Sequence, residues 1–221
     1  MLKIQSAVKS LFNEMFGDVL TNLKGLPTAP FGNFVSEMHL GPFGSALKNE
    51  CFVPRESSYC MVYEQKHAIQ KRMDVETRYI DEAKYKQLKR FSVYPGDILV
   101  SCRGTIGECF QIPCDAPMGV IHPSVMMLRA NENVEPEFLM ELLQRIMAEQ
   151  LQTGTGVKMA ITANALSNIV TIAPKRDSQR LFLERKHQIN KLRFKYERQI
   201  ELLNELMEKK MEEYFGGDEN A

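Results

Sequence analysis

From Ser178 to Phe215 the chain runs without a proline or glycine, and its apolar residues recur in steps of three and four. Ile189, Leu192, Tyr196, Ile200, Leu203, Leu206, Met207 and Met211 therefore fall on one stripe of an amphipathic helix. Pro174 ahead of it and Gly216-Gly217 behind it are start and stop signals. At about 1.5 Å per residue such a helix spans on the order of 57 Å. A single small domain is too short to bury the whole stripe, so a second helix, in this chain or in another copy, is expected to complete a coiled coil. Gln199 and Lys210 interrupt the strict heptad, and a helix folded back onto its own domain is the alternative. Glu205 and Lys209, one turn apart, read as solvated surface.

Three sections follow from this division: an N-terminal helix within residues 1–17, a mixed globular region over 27–174, and the long helix over 178–215. The first is apolar at Ile4, Val8, Leu11, Phe12 and Met15, which is helical spacing. In the middle, Asp81–Arg90 reads as a short polar helix. Asp97–Arg103 and Glu108–Ile112 read as two strands around the turn Gly104-Thr105-Ile106-Gly107. Ser124–Arg129 is a further strand, and Pro136 opens a helix to Gln152 with Phe138, Leu139, Leu142, Leu143, Ile146, Met147 and Leu151 on its buried side. A glycine loop from Thr153 to Gly156 ends that helix, and Ile169–Ile172 is the last strand. The fold class is α/β, with mixed α and β elements and a long C-terminal helix.

The first and last helices also end alike, in Met15-Phe16-Gly17-Asp18 and in Tyr214-Phe215-Gly216-Gly217-Asp218. Such an ending is either the mark of a cyclic repeat cut within its helical spacer or an ordinary aromatic-glycine helix cap.

Lys plus Arg and Asp plus Glu number 28 each, so any nucleic-acid-binding face must be basic locally, since the molecule as a whole is not. Five cysteines, Cys51, Cys60, Cys102, Cys109 and Cys114, form no CxxC pair. Buried free thiols are expected, with no metal site and no cofactor. The N-terminus lacks the continuous apolar core of a signal peptide, and nothing approaches the roughly 20 apolar residues of a membrane span. A cytoplasmic protein without membrane contact is expected. His39, His67, His122 and His187 are scattered, and no P-loop, GxGxxG or paired acidic nuclease signature is present. The one enzymatic alternative is a thiol chemistry on the cysteine-bearing segment Cys102–Cys114, where the adjacent Arg103 would lower the pKa of Cys102.

Several short motifs resemble one family. Gly41-Pro42-Phe43-Gly44-Ser45-Ala46-Leu47-Lys48 is similar to the opening motif of target-recognition domains in type I restriction-modification specificity subunits. Tyr94-Pro95-Gly96-Asp97-Ile98-Leu99-Val100-Ser101, continued by Gly104-Thr105-Ile106-Gly107, resembles their central motif. His122-Pro123-Ser124 with Val125–Arg129, then Pro136-Glu137-Phe138-Leu139, Gly154–Ile161, and Ile172-Ala173-Pro174 with Gln179 follow in the family's order. The segment before the long helix carries fewer prolines than is usual there. Most members carry two recognition domains and two spacers, whereas this chain has one of each: a half-subunit, or half of a longer one.

The resemblance implies a non-catalytic specificity subunit that binds double-stranded DNA and directs a modification (methyltransferase) subunit and a restriction subunit to a bipartite site. It also implies that two such units pair through antiparallel spacer helices, as a homodimer or with another specificity half. Base reading needs side chains with paired donors and acceptors, backed by cations against phosphate. Tyr63–Arg72 supplies these densely, with Gln65, Lys66, His67, Lys71 and Arg72; a plain solvated loop is the alternative reading. Ser45 and Lys48 join them from the opening motif. Arg103 and the pair Thr155 and Lys158 sit beside glycines that let a chain approach the DNA backbone closely. The competing function is a protein-interaction adaptor that dimerises through its C-terminal helix, a reading that the neutral charge balance favours.

Overall fold

In the computed structural model residues 2–152 and 162–215 are described, with side chains over 7–149 and 162–214. In chain order the elements are α1 (Leu2–Phe16), β1 (Thr28–Pro30), β2 (Val35–Leu40), β3 (Cys60–Tyr63), α2 (Gln65–Gln70), β4 (Tyr79–Ile80), α3 (Glu82–Leu88), β5 (Ser92–Val93), β6 (Ile98–Ser101), β7 (Cys109–Gln111), β8 (Gly119–Ile121), β9 (Val125–Ala130), α4 (Pro136–Gln152), α5 (Ala163–Ser167), β10 (Val170–Ile172) and α6 (Arg176–Phe215). They form two compact units, Phe16–Gln179 and Met1–Met15 with Arg180–Ala221.

The larger unit is built on two four-stranded sheets, ordered β2-β9-β6-β7 and β4-β3-β8-β5, with β1 and β10 as a separate antiparallel pair. The first sheet is antiparallel throughout, and its centre follows from sequence: Val125–Leu128 and Ile98–Val100 are continuous apolar runs, fully buried on both faces. In the second sheet β3 and β8 run parallel, pairing Met61–Tyr63 with Gly119–Ile121. Gly119 is required there, because a Cβ would meet the Met61 carbonyl oxygen at 2.6 Å and the Tyr63 ring at 2.6 Å. One apolar cluster joins the sheets through Met61, Tyr63, Leu99, Ile121, Val125 and Met127. A second gathers Leu47, Val62, Ile80, Leu88 and Val120.

Most expected elements are present. The strands around Gly104–Gly107 are β6 and β7, Ser124–Arg129 is β9 one residue displaced, and Asp81–Arg90 is α3 followed by a 3-10 turn. α4 runs from Pro136 to Gln152 and buries Phe138, Leu139, Leu142, Leu143 and Ile146 completely or nearly so. The glycine loop after it lies outside the described residues. Tyr63–Arg72 is not a loop: Tyr63 ends a buried strand and Gln65–Gln70 is a helix.

The long helix α6 begins at Arg176, two residues earlier than the sequence suggests. Its entry is held by Gln179, 2% exposed, whose Nε2 donates to the Pro174 carbonyl at 2.9 Å and whose Oε1 accepts from the Glu135 amide at 3.0 Å. In the smaller unit α1 packs on α6 through an edge-to-face contact of Phe12 with Phe182, ring centroids 5.3 Å apart. Beyond Lys186 the stripe lies open, with Leu192, Tyr196, Ile200, Leu203, Leu206, Met207 and Met211 each between 53% and 65% exposed. Among the described residues no helix is long and apolar enough to cross a membrane.

Candidate nucleic-acid interface

Topology places three motifs at one end of the first sheet. Because β2 and β6 both run antiparallel to the central β9, the C-terminal ends of β2 and β6 lie beside the N-terminal end of β9. Gly41-Pro42-Phe43-Gly44, Cys102-Arg103-Gly104 and His122-Pro123-Ser124 leave those ends. The Gly41 amide donates to the Val125 carbonyl at 2.8 Å and the Cys102 amide to the Ser124 carbonyl at 3.0 Å, so the His122–Val125 turn is gripped from both sides. Gly41 has no alternative, since a Cβ there would stand 2.1 Å from the His122 carbonyl oxygen. The β6–β7 turn is closed by Ser101, whose hydroxyl accepts from the Glu108 amide and donates to the Thr105 carbonyl, with Gly104 and Gly107 at φ 66° and 87°.

The C-terminal end of α2 reaches the same place, where Lys71 Nζ lies 3.2 Å from Glu108 Oε2 at the start of β7. Arg103 follows β6 at this end, Lys71 and Arg72 follow α2, and Ser45 and Lys48 lie on the loop that leaves β2; all five are exposed. Their ion pairs are loose and solvated: Lys48 with Glu50 at 3.9 Å, Arg72 with Asp74 at 3.4 Å. Exposed pairs of this kind are worth little and exchange readily for a phosphate.

Other expected residues take different roles. His67 is fully buried, not a surface contact: its Nδ1 accepts from the Glu64 amide at 3.0 Å in a capping box that starts α2, and its ring packs beside that of Tyr63, tilted by 52°. Gln65 and Lys66 are half-buried, and Lys66 Nζ lies 3.0 Å from Glu64 Oε2. Burial pushes the Glu64 carboxyl up, but hydrogen bonds and charge from Arg78 and Lys66 outweigh it and hold its pKa below the ordinary value. Thr155 and Lys158 lie outside the described residues. Beneath the loop end His122 is half-buried, its Nδ1 2.8 Å from the Ser124 hydroxyl. Burial, then Arg78, with Arg103 and Lys66 adding to them against Glu64, pushes its pKa below 6.5.

The lowered pKa that the thiol alternative asks of Cys102 is absent. Burial raises Cys102 to about 11, and the charge of Arg103 only partly opposes it. Cys60 and Cys109 are likewise raised by burial, to about 11 and about 12. Such thiols are protonated at neutral pH and are poor nucleophiles. No cluster of His, Cys, Asp or Glu able to hold a metal is present among the described residues.

Sequence reading missed two features here. Phe43, inside the quoted opening motif, is 90% exposed. At the opposite end of the sheet, the Tyr94–Asp97 turn is a structural clamp, since Asp97 is 1% exposed and accepts from Arg129 Nε and NH2, both at 2.8 Å. It also accepts from the Tyr94 amide at 2.7 Å, while Arg129 covers the Tyr94 ring at 4.7 Å and reaches Glu37 at 2.7 Å.

No family model and no curated protein matches the sequence. Solved structures do. The HsdS subunit from Thermoanaerobacter tengcongensis aligns over 86% of this chain and 44% of its own, with a TM-score of 0.61 and 18% identity. A chain from a structure of complex assembly and conformational transition in the type I R-M system aligns over 91% and 50%, with 0.59 and 16%. The S subunit of the type I restriction-modification system from M. genitalium aligns over 93% and 51%, with 0.53 and 13%. The chain spans about half the length of each, and over that half it has the fold of a type I restriction-modification S subunit.

Proposed function

We propose that this chain is a sequence-recognition module of a type I restriction-modification complex, reading one half of a bipartite DNA site. It does no chemistry itself; methylation and cleavage belong to separate modification and restriction subunits that it directs. The observation that carries this reading is the convergence, at one end of one sheet, of three motifs distant in sequence together with the exposed cations Lys48, Lys71, Arg72 and Arg103. The likeness in fold to S subunits supports it. Cations at glycine-bearing loops suit phosphate, while Ser45 and Arg72 carry the donors and acceptors that base edges require.

The open stripe of α6 supports pairing with a second spacer helix, from an identical copy or another specificity half, in an antiparallel coiled coil. Ile189 is half-buried at the start of that stripe and marks where the pairing would begin. The coiled-coil part is checked by light scattering on the double variant Leu192→Glu, Leu203→Glu: the assembly should fall to the mass of one chain, and an unchanged mass would refute the pairing. The recognition part is checked by selection from a randomised duplex pool. A defined sequence should be enriched, and its binding should weaken steeply with salt.

A further inference from the structure

We propose that Phe43 is a base-stacking residue, its ring laid against an exposed base face or opened base step of the bound duplex; this rests on the DNA-recognition reading. Among the described residues it is the most exposed large hydrophobic residue, at 90%, yet its backbone is held firmly. Pro42 before it is buried, and Leu47 after it is 5% exposed in the core. The Phe43 carbonyl accepts from the Ala46 amide at 2.8 Å, and the Gly44 carbonyl accepts from the Leu47 amide at 3.3 Å, making a single 3-10 turn. Gly41 seats the start of the loop against the His122–Pro123 backbone.

A buried anchor on each side and a short turn between them leave the ring no path back to the core. A ring held out in this way gives up little conformational freedom on binding, which favours its use as an anchor. Its surroundings indicate the partner. The same loop carries Ser45 and Lys48, both exposed, and the end of the nearby strand β6 leads into exposed Arg103, groups that suit an anionic backbone and polar base edges. They do not suit the apolar surround of a protein hot spot. Aromatic rings stack on bases with little regard to sequence and serve as wedges where a duplex is opened. Phe43 would fix the depth and register at which the neighbouring cations and Ser45 meet the groove.

The chain contains no tryptophan, so Phe43→Trp introduces a single reporter at the site. The probe is a duplex enriched by the full chain from a randomised pool, titrated against this variant and against Leu23→Trp. Leu23 is 89% exposed and sits in the turn leading into β1, outside the loop end. Stacking should quench the Phe43→Trp emission strongly at saturation and leave the Leu23→Trp emission unchanged. Phe43→Ala, with the wild-type melting curve, should bind the duplex roughly tenfold or more weakly, and Phe43→Tyr should restore binding. A complex that forms with unaltered Phe43→Trp emission would overturn the stacking role and leave DNA reading standing. Emission that shifts with a modification subunit instead of DNA would likewise overturn it. No enrichment of any duplex by the wild-type chain would overturn both.

Discussion

The two ends of the sheet β2-β9-β6-β7 use charge in opposite ways. At the clamp end, Asp97 is sealed from solvent and Arg129 is divided between Asp97, Glu37 and the Tyr94 ring, so every charge is satisfied within the fold. At the loop end Lys48, Lys71, Arg72 and Arg103 point outward with weak or solvated partners, and Phe43 is left bare. The same strands build both. The contrast indicates that the clamp fixes strand register while the loop end is free to meet a ligand, because a buried paired charge is costly to disturb and an exposed one is not.

The clamp is where the largest stability effect is expected. Arg129→Ala leaves the Asp97 carboxylate buried without its guanidinium, and should cost about 3 kcal/mol in urea unfolding. A loss near zero would show that the two ends do not differ as described. Next comes Gly41→Ala. Its methyl group would be driven onto the His122 carbonyl, and a backbone atom cannot swing aside as a side chain can. About 2 kcal/mol of stability should be lost, with duplex binding weakened because the Phe43–Lys48 loop is displaced. Stability unchanged by this substitution would mean that the loop is not gripped at its root.

Much of this architecture could be read from the residues alone, and the missing parts share one cause. The β6–β7 hairpin, β9, α4 and α6 carry local signals: glycines at a turn, continuous apolar runs, proline at a helix start, an apolar period. α2 was hidden because Gln65–Gln70 is short and mostly polar, with only Ala68 and Ile69 apolar, and only the fold reveals that its His67 turns inward to cap Glu64. β3 and β8 are short, and β3 is defined by parallel pairing with residues 58 positions away, from Met61 to Gly119. The Asp97–Arg129 pair joins residues 32 apart in sequence. Non-local pairings of this kind are invisible to periodicity. The site shows the same limit: the motifs could be found one by one, but that three of them share a sheet end follows from strand order.

Arg103→Ala should be the converse of Arg129→Ala. Stability should change by no more than ~0.5 kcal/mol, while duplex affinity falls roughly tenfold and the salt dependence loses about one counterion. A change in stability without one in affinity would reverse the assignment of the two ends.

The smallest effect is a pH dependence that arises beneath the loop end. His122 has a folded pKa depressed below 6.5, so the unfolded chain takes up its proton first as the pH falls. Its contribution is present above 6.5 and is lost on acidification through the depressed value. Melting temperature should therefore fall more steeply below about pH 6.5 in the wild type than in His122→Asn. Parallel curves would show that His122 is not held neutral.

The most direct test of the central claim is photo-cross-linking of a selected duplex to the full chain, with the linked peptides mapped. Links are expected within Gly41–Lys48, Lys71–Arg72 and Arg103–Glu108, and none within Tyr94–Asp97. Links concentrated at the clamp end, or none at the three loops, would contradict that claim.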